Sequence, residues 1–171
     1  MHPYFELVER SARLALHALK VAEDQAFQMG GTTAAVKTLQ AIRLQKAIMA
    51  VGMFSMSESI LQDRLKCNNG FTEARRCLKG QKKIALEKRF SQFYAAINVL
   101  KHGRGESYES LLKHNQLPFR IKHPGSAFFF EGDASEVTAL VDVDDKFIMD
   151  CAQLIQDVSN VVRKVHPGAA L

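Results

Sequence analysis

No stretch of this chain approaches the roughly 20 consecutive apolar residues that a membrane-spanning helix needs, so no membrane partner is expected. There is no low-complexity tract and no repeat at solenoid spacing, which excludes a stacked-repeat architecture. Cysteine is scarce: Cys67, Cys77 and Cys151 are the only three. They form no Cys-x-x-Cys pair, and an odd count argues against a disulfide framework. The histidines are scattered without a His-x-x-x-His pair or a His/Cys cluster, so neither a metal site nor a cofactor is expected. A Gly-x-x-x-x-Gly-Lys phosphate loop is also missing. Gly103-Arg104-Gly105 follows a helix, whereas phosphate loops precede one. The opening residues mix acids and arginines with apolar side chains, unlike a secretory leader, and the expectation is a cytoplasmic protein.

What remains is the composition of one globular domain spanning residues 1–171. It is 47% hydrophobic and 24% charged, which suffices for a sizeable core. The formal charge of +5 is unevenly spread. Residues 1–62 hold 6 basic and 5 acidic side chains, residues 63–123 hold 14 and 5, and residues 124–171 hold 3 and 8, giving +1, +9 and −5. A basic middle suits a phosphate backbone, and an acidic final third suits packing beside that middle.

Hydrophobic periodicity predicts helices nearly throughout. A first helix over 4–29 places Tyr4, Leu7, Ser11, Leu14, Ala18, Ala22, Gln25 and Met29 on one face, and Gly30-Gly31 ends it. Arg10 and His17 lie two turns apart on its solvated side and carry no chemistry. A second helix, from Thr33 to Lys66, is apolar nearly all round between Ala47 and Phe54, as a central helix is. Its stripe Leu44, Ile48, Val51, Ser55, Glu58, Leu61 and Leu65 contains a carboxylate, which needs a partner or a raised pKa if buried. A turn at Cys67 to Gly70 precedes a short helix over Phe71–Lys79, either capped by Thr72 or entered through the turn. The last helix is the most regular. Asp142 or Asp144 caps it, and Phe147, Cys151, Leu154, Val158, Val161 and Val165 step by four and three. That stripe needs a long partner, either the central helix or a second copy of the chain.

Residues 115–141 differ in character. Phe119-Arg120-Ile121-Lys122 alternates, Pro124-Gly125 reads as a turn, and Phe128-Phe129-Phe130 is short and apolar. A small hairpin or extended excursion fits. Asp133 and Glu136 have capping-box spacing for a turn of helix at 134–140. The fold class is therefore all-α: a four-to-five-helix bundle with long central helices and that one excursion.

The chemistry concentrates between Arg89 and Glu106. Leu86, Phe90, Phe93, Ile97 and Leu100 form a buried face, while Tyr94, Asn98 and His102 form a neighbouring stripe. Gly103 stops the helix, leaving Lys101 and His102 in a last turn that favours cations. Arg104, Gly105 and Glu106 follow at once. The basic run Arg75, Arg76, Lys79, Lys82, Lys83, Lys88 and Arg89 leads into it. Phe90, Phe93 and Tyr94 have core spacing rather than that of a base-stacking platform.

With Phe54-Ser55-Met56-Ser57-Glu58 at the centre of one helix and Asn98-x-x-x-His102 closing another, the chain resembles the HEPN superfamily. These are four-helix bundles, often dimeric, many of them RNA-cleaving toxins or antiphage defence components. The resemblance matches Asn98 to the family's polar position and His102 to its histidine. Ile97 stands where the family has arginine, a departure from its pattern. It implies a homodimer, an RNA partner and a bacterial defence or toxin-type setting. Three functions stay open. One is a non-catalytic module binding RNA or a protein through Lys101, Arg75, Arg76, Lys82, Lys83, Arg89 and Glu58. Another is a metal-independent ribonuclease, with His102 as general acid/base, Asn98 orienting it, and Lys101 or Arg104 stabilising the phosphorane. The third is a structural homo-oligomer.

Overall fold

The computed structural model describes residues 3–124 and 140–169. Among these residues six α-helices follow in order: α1 (Pro3–Gln28), α2 (Thr33–Leu65), α3 (Gly70–Gly80), α4 (Ile84–His102), α5 (Glu106–Leu112) and α6 (Asp145–Val165), with a 3-10 turn at Pro167–Ala169. No helix among the described residues is long and apolar enough to cross a membrane.

Local chemistry sets the boundaries. The Thr32 hydroxyl accepts a hydrogen bond from the Ala35 amide and opens α2. Lys66, at φ 53°, closes it in the left-handed conformation. Asn69, not Thr72, caps α3, its side chain accepting from the Thr72 amide at 2.7 Å. Asp144, rather than Asp142, caps α6 through the Phe147 amide at 2.7 Å. Each such cap contributes about 1 kcal/mol by satisfying an orphan donor of the first turn.

The apolar stripe of α6 runs as its spacing predicts. Phe147, Ile148, Cys151, Leu154, Ile155, Val158, Val161 and Val162 are all buried, and Val165 is half-buried. Its partner is the chain itself, for α6 packs on α1, α2, α3 and α4. The buried faces of α1 and α2 differ from those expected. Phe5, Val8, Ala12, Leu16 and Ala26 turn inward from α1, while the expected stripe residues Leu7 and Leu14 are exposed. On α2 the inward set includes Ala47, Ala50, Met53, Phe54, Ser57 and Leu61. Leu44 and Ile48 face outward, and Glu58 is half-buried. Both helices carry two apolar faces, so periodicity alone could not choose between them.

Aromatic rings join the layers. Phe71 lies 5.1 Å from Phe90 and 5.8 Å from Phe54, edge to face in both cases. One turn along, Phe93 sits 5.1 Å from both Phe119 and Phe147. Thus α4 sends Phe90 toward α2 and α3, and Phe93 toward α6. Gly70 permits the close approach of α3 to α2. A Cβ there would stand 2.7 Å from the Glu58 carbonyl oxygen.

The extended excursion survives at its base. Ile121 and Val141 form an antiparallel bridge, with the Lys122 amide donating to Leu140 O at 3.0 Å and the Asp142 amide to Arg120 O at 2.9 Å. Ile121 is buried and Arg120 exposed, as the alternation implies. The Phe128-Phe129-Phe130 run and most of the helical turn expected at 134–140 lie outside the described residues. Chemical denaturation will separate core from surface: Phe90→Ala is expected to cost about 3–5 kcal/mol, and Ile84→Ala, at an exposed position, within about 0.5 kcal/mol.

Candidate functional site

Because α4 buries Phe90, Phe93 and Ile97, its opposite side must face out. There Lys88, Ser91, Ala95, Asn98 and His102 recur at steps of three and four, so they form one stripe along the helix. At 1.5 Å per residue the stripe is about 21 Å long. Two shallow hollows lie on it. The first, about 440 Å³, is lined by Tyr94, Asn98, Lys101, His102, Arg104 and Glu106, among others. The second, about 260 Å³, involves Arg75, Lys79, Glu87, Lys88, Ser91 and His114.

The first hollow gathers the four residues that the sequence singled out at the helix exit. Lys101, His102 and Arg104 are exposed, and Asn98 is half-buried. Gly103 shapes the exit with φ 75° and ψ −144°, and its amide donates to Val99 O at 2.8 Å. This is a positive-φ extended conformation rather than the left-handed helical one expected, and glycine alone adopts it at little cost. The chain then turns at once into α5, bringing Arg104 and Glu106 back beside His102. Tyr108 anchors that return, its hydroxyl donating to Lys122 O at 2.5 Å. Burial raises the Tyr108 pKa, Arg104 lowers it, and Glu109 adds to the rise.

Ile97, the neighbour of Asn98, is buried in the core. Among the described residues, the lysine and arginine side chains lining the first hollow are Lys101 and Arg104. His102 and Glu106 make no group of three with another His, Cys or acid among the described residues, so the hollow has no metal-ligand set.

The other candidates are dispersed. Arg75 reaches the second hollow, where its Nε lies 3.0 Å from Glu87 Oε1. The same oxygen accepts from the Ser91 hydroxyl at 3.1 Å. Arg76 turns away to Glu73 at 2.5 Å. Arg89 pairs with Asp150 at 3.0 Å, and its guanidinium lies 5.7 Å from the Phe93 ring centroid. Lys82 and Lys83 are exposed on the turn before α4, beyond the end of the stripe. Glu58 stands on α2 beside the start of α3 and lines neither hollow. Sequence reasoning missed Ser91, Ser107 and His114. Ser91 could have been found by continuing the Asn98–His102 step back toward Lys88, whereas His114 is brought in only by tertiary packing.

Comparison with known proteins finds no family model, curated protein or solved structure that matches this chain. The helix exit itself can be probed. Gly103→Ala is expected to cost about 1–3 kcal/mol of stability, and Gly105→Ala, whose Cβ meets open space, less than half as much; thermal melts of the two variants provide the check.

Proposed function

We propose that this chain is a non-catalytic helical module that holds an RNA phosphate backbone along the outward stripe of α4. The observation that carries the reading is the alignment of two polar hollows on one helix face, with Arg75, Lys79 and Lys88 toward one end and Lys101, His102 and Arg104 at the other. Exposed cations in a line can displace the counterions of a nucleic-acid strand. Part of the basic excess is already matched internally, by Glu87 on Arg75 and by Asp150 on Arg89. Lys88, Lys101 and Lys113 remain exposed and supply the attraction.

The resemblance to RNA-cleaving bundles offers a catalytic alternative, with His102 as acid/base and Lys101 or Arg104 as electrostatic partner. Burial of Ile97 favours binding over cleavage, because the motif's own cation is replaced by a core side chain. The placement in a bacterial defence or toxin-type system rests on that resemblance.

Fluorescence anisotropy with labelled single-stranded RNA at several salt concentrations tests the reading. Affinity should fall steeply with salt, and Lys88→Gln, Lys101→Gln and Arg104→Gln should each lower the slope of log K against log salt by about 1. Lys37→Gln, on exposed α2 surface, should leave it unchanged. Salt-independent binding would sink the phosphate reading. Cleavage of the same RNA that resists EDTA and is lost in His102→Ala would replace it with the nuclease.

The outer face of the α1–α2 pair supports a homodimer. Among the described residues, and apart from Ile84, the large exposed apolar side chains lie on these helices or the turn between them. Leu7, Leu14 and Val21 repeat at seven-residue spacing along α1, close to the step of a helix–helix seam. Beside them Tyr4, Ser11, Ala15, Met49, Gly52 and Met56 border an apolar groove of about 470 Å³. A helix pair carrying such a face on each copy makes a self-complementary twofold contact. Light scattering at tens of micromolar should give twice the chain mass, and Leu14→Glu should give a monomer with unchanged circular dichroism. A wild-type monomer under those conditions rules the dimer out.

A further inference from the structure

Away from the α4 stripe, one buried side-chain polar atom among the described residues has no hydrogen-bond partner: Nε2 of His166, at the end of α6. Buried nitrogens in native proteins are almost always satisfied, so an orphan asks for a partner of another kind. Two groups from α3 converge on it. Glu73 and Cys77 are four residues apart and share a face of that helix. Their ligand atoms and a ring nitrogen of His166 all lie within 4.8 Å of one another. This face lies about 160° around α3 from Arg75, so it is separate from the hollow that Arg75 lines.

We propose that Glu73, Cys77 and His166 form a binding site for a zinc-class divalent transition-metal ion. The protein ligands are one Glu73 oxygen, the Cys77 thiolate and His166 Nε2, and an exchangeable water completes a tetrahedron. Thiolate, imidazole and carboxylate are the donor set that such ions select. Three atoms mutually within 4.8 Å can share a point at most about 2.8 Å from each, and contraction by roughly half an ångström gives the bond lengths of zinc sites. Small side-chain rotations suffice for that.

The charges also fit. A thiolate and a carboxylate offset the two positive charges of the ion, so no net charge is buried. Burial pushes the Cys77 thiol up, Glu73 adds to the rise, and Arg76 opposes it. Metal binding to the thiolate releases the thiol proton. A carboxylate has two oxygens, so Arg76, 2.5 Å from Glu73 Oε2, can keep its contact and orient the ligand. Bound metal would pin α3 to the C-terminal end of α6. Sequence reading expected no metal because the donors form no contiguous motif. His166 joins the pair only through the packing of α6 on α3.

The test is cobalt titration of the full chain, stripped of metal and kept reduced. One equivalent of Co²⁺ should produce a thiolate-to-cobalt charge-transfer band that Zn²⁺ displaces. Cys77→Ser should abolish the band and Cys67→Ser should keep it. Glu73→Gln and His166→Gln, at half-buried positions, should stay folded and bind at least tenfold more weakly. Zn²⁺ at a hundredfold excess over its Kd should raise the wild-type Tm by roughly 5–10 °C, with no such rise in His166→Gln. Absence of the band, its persistence in Cys77→Ser, or wild-type affinity in Glu73→Gln or His166→Gln would overturn the site.

Discussion

The architecture depends on the need of α6 to lose an apolar surface too wide for one partner. Ten of its 21 residues are buried, and they spread beyond a single seam. Four other helices therefore wrap it, and their orientations follow. Helix α4 must turn Phe93 toward Phe147 while Phe90 meets Phe54 and Phe71. With those rings inside, the polar side from Lys88 to His102 has only the outside to face. Ile97 and Asn98 are neighbours in sequence yet lie 100° apart around the helix. One belongs to the core, and the next lines the hollow.

The same logic explains which features were legible in the chain. The α6 stripe could be read because its polar and apolar faces contrast sharply. The α4 cluster could be read because it is local: a helical step, a glycine and an immediate return need no distant partner. The inward faces of α1 and α2 could not be read, since Leu7 and Leu14 compete on equal terms with Val8 and Ala12, and only the packing of α1, α2 and α6 on one another decides between them. Nor could the pairing of Arg89, whose acid is Asp150, far along the chain. The half-buried position of Glu58 follows from a rotation of α2 that puts Ser57 inward instead.

Charge shows the difference between a count and a field. The +9 of the middle segment includes arginines whose carboxylate partners lie within it or in the acidic final third. Arg75 finds Glu87 across on α4, and Arg76 finds Glu73 one turn back on α3. Arg89 and Arg120 reach across to Asp150 and Asp142. Such exposed pairs contribute little stability, but they subtract from the potential that a distant anion feels. What is left is carried mainly by lysines, which are long, strongly hydrated and able to follow an irregular strand without fixing its geometry.

The position of α6 in the chain also bears on how the protein is made. At 5–20 residues per second, a ribosome needs roughly 7–30 s to pass from the start of α1 to the start of α6. Throughout that interval the inner faces of α1, α2, α3 and α4 lack the α6 surface against which they pack. The α1–α2 pair can form early, but it then presents apolar side chains on both sides. Assembly is therefore completed late, and the nascent chain spends that time as a substrate for whatever in the cell shields bare helices.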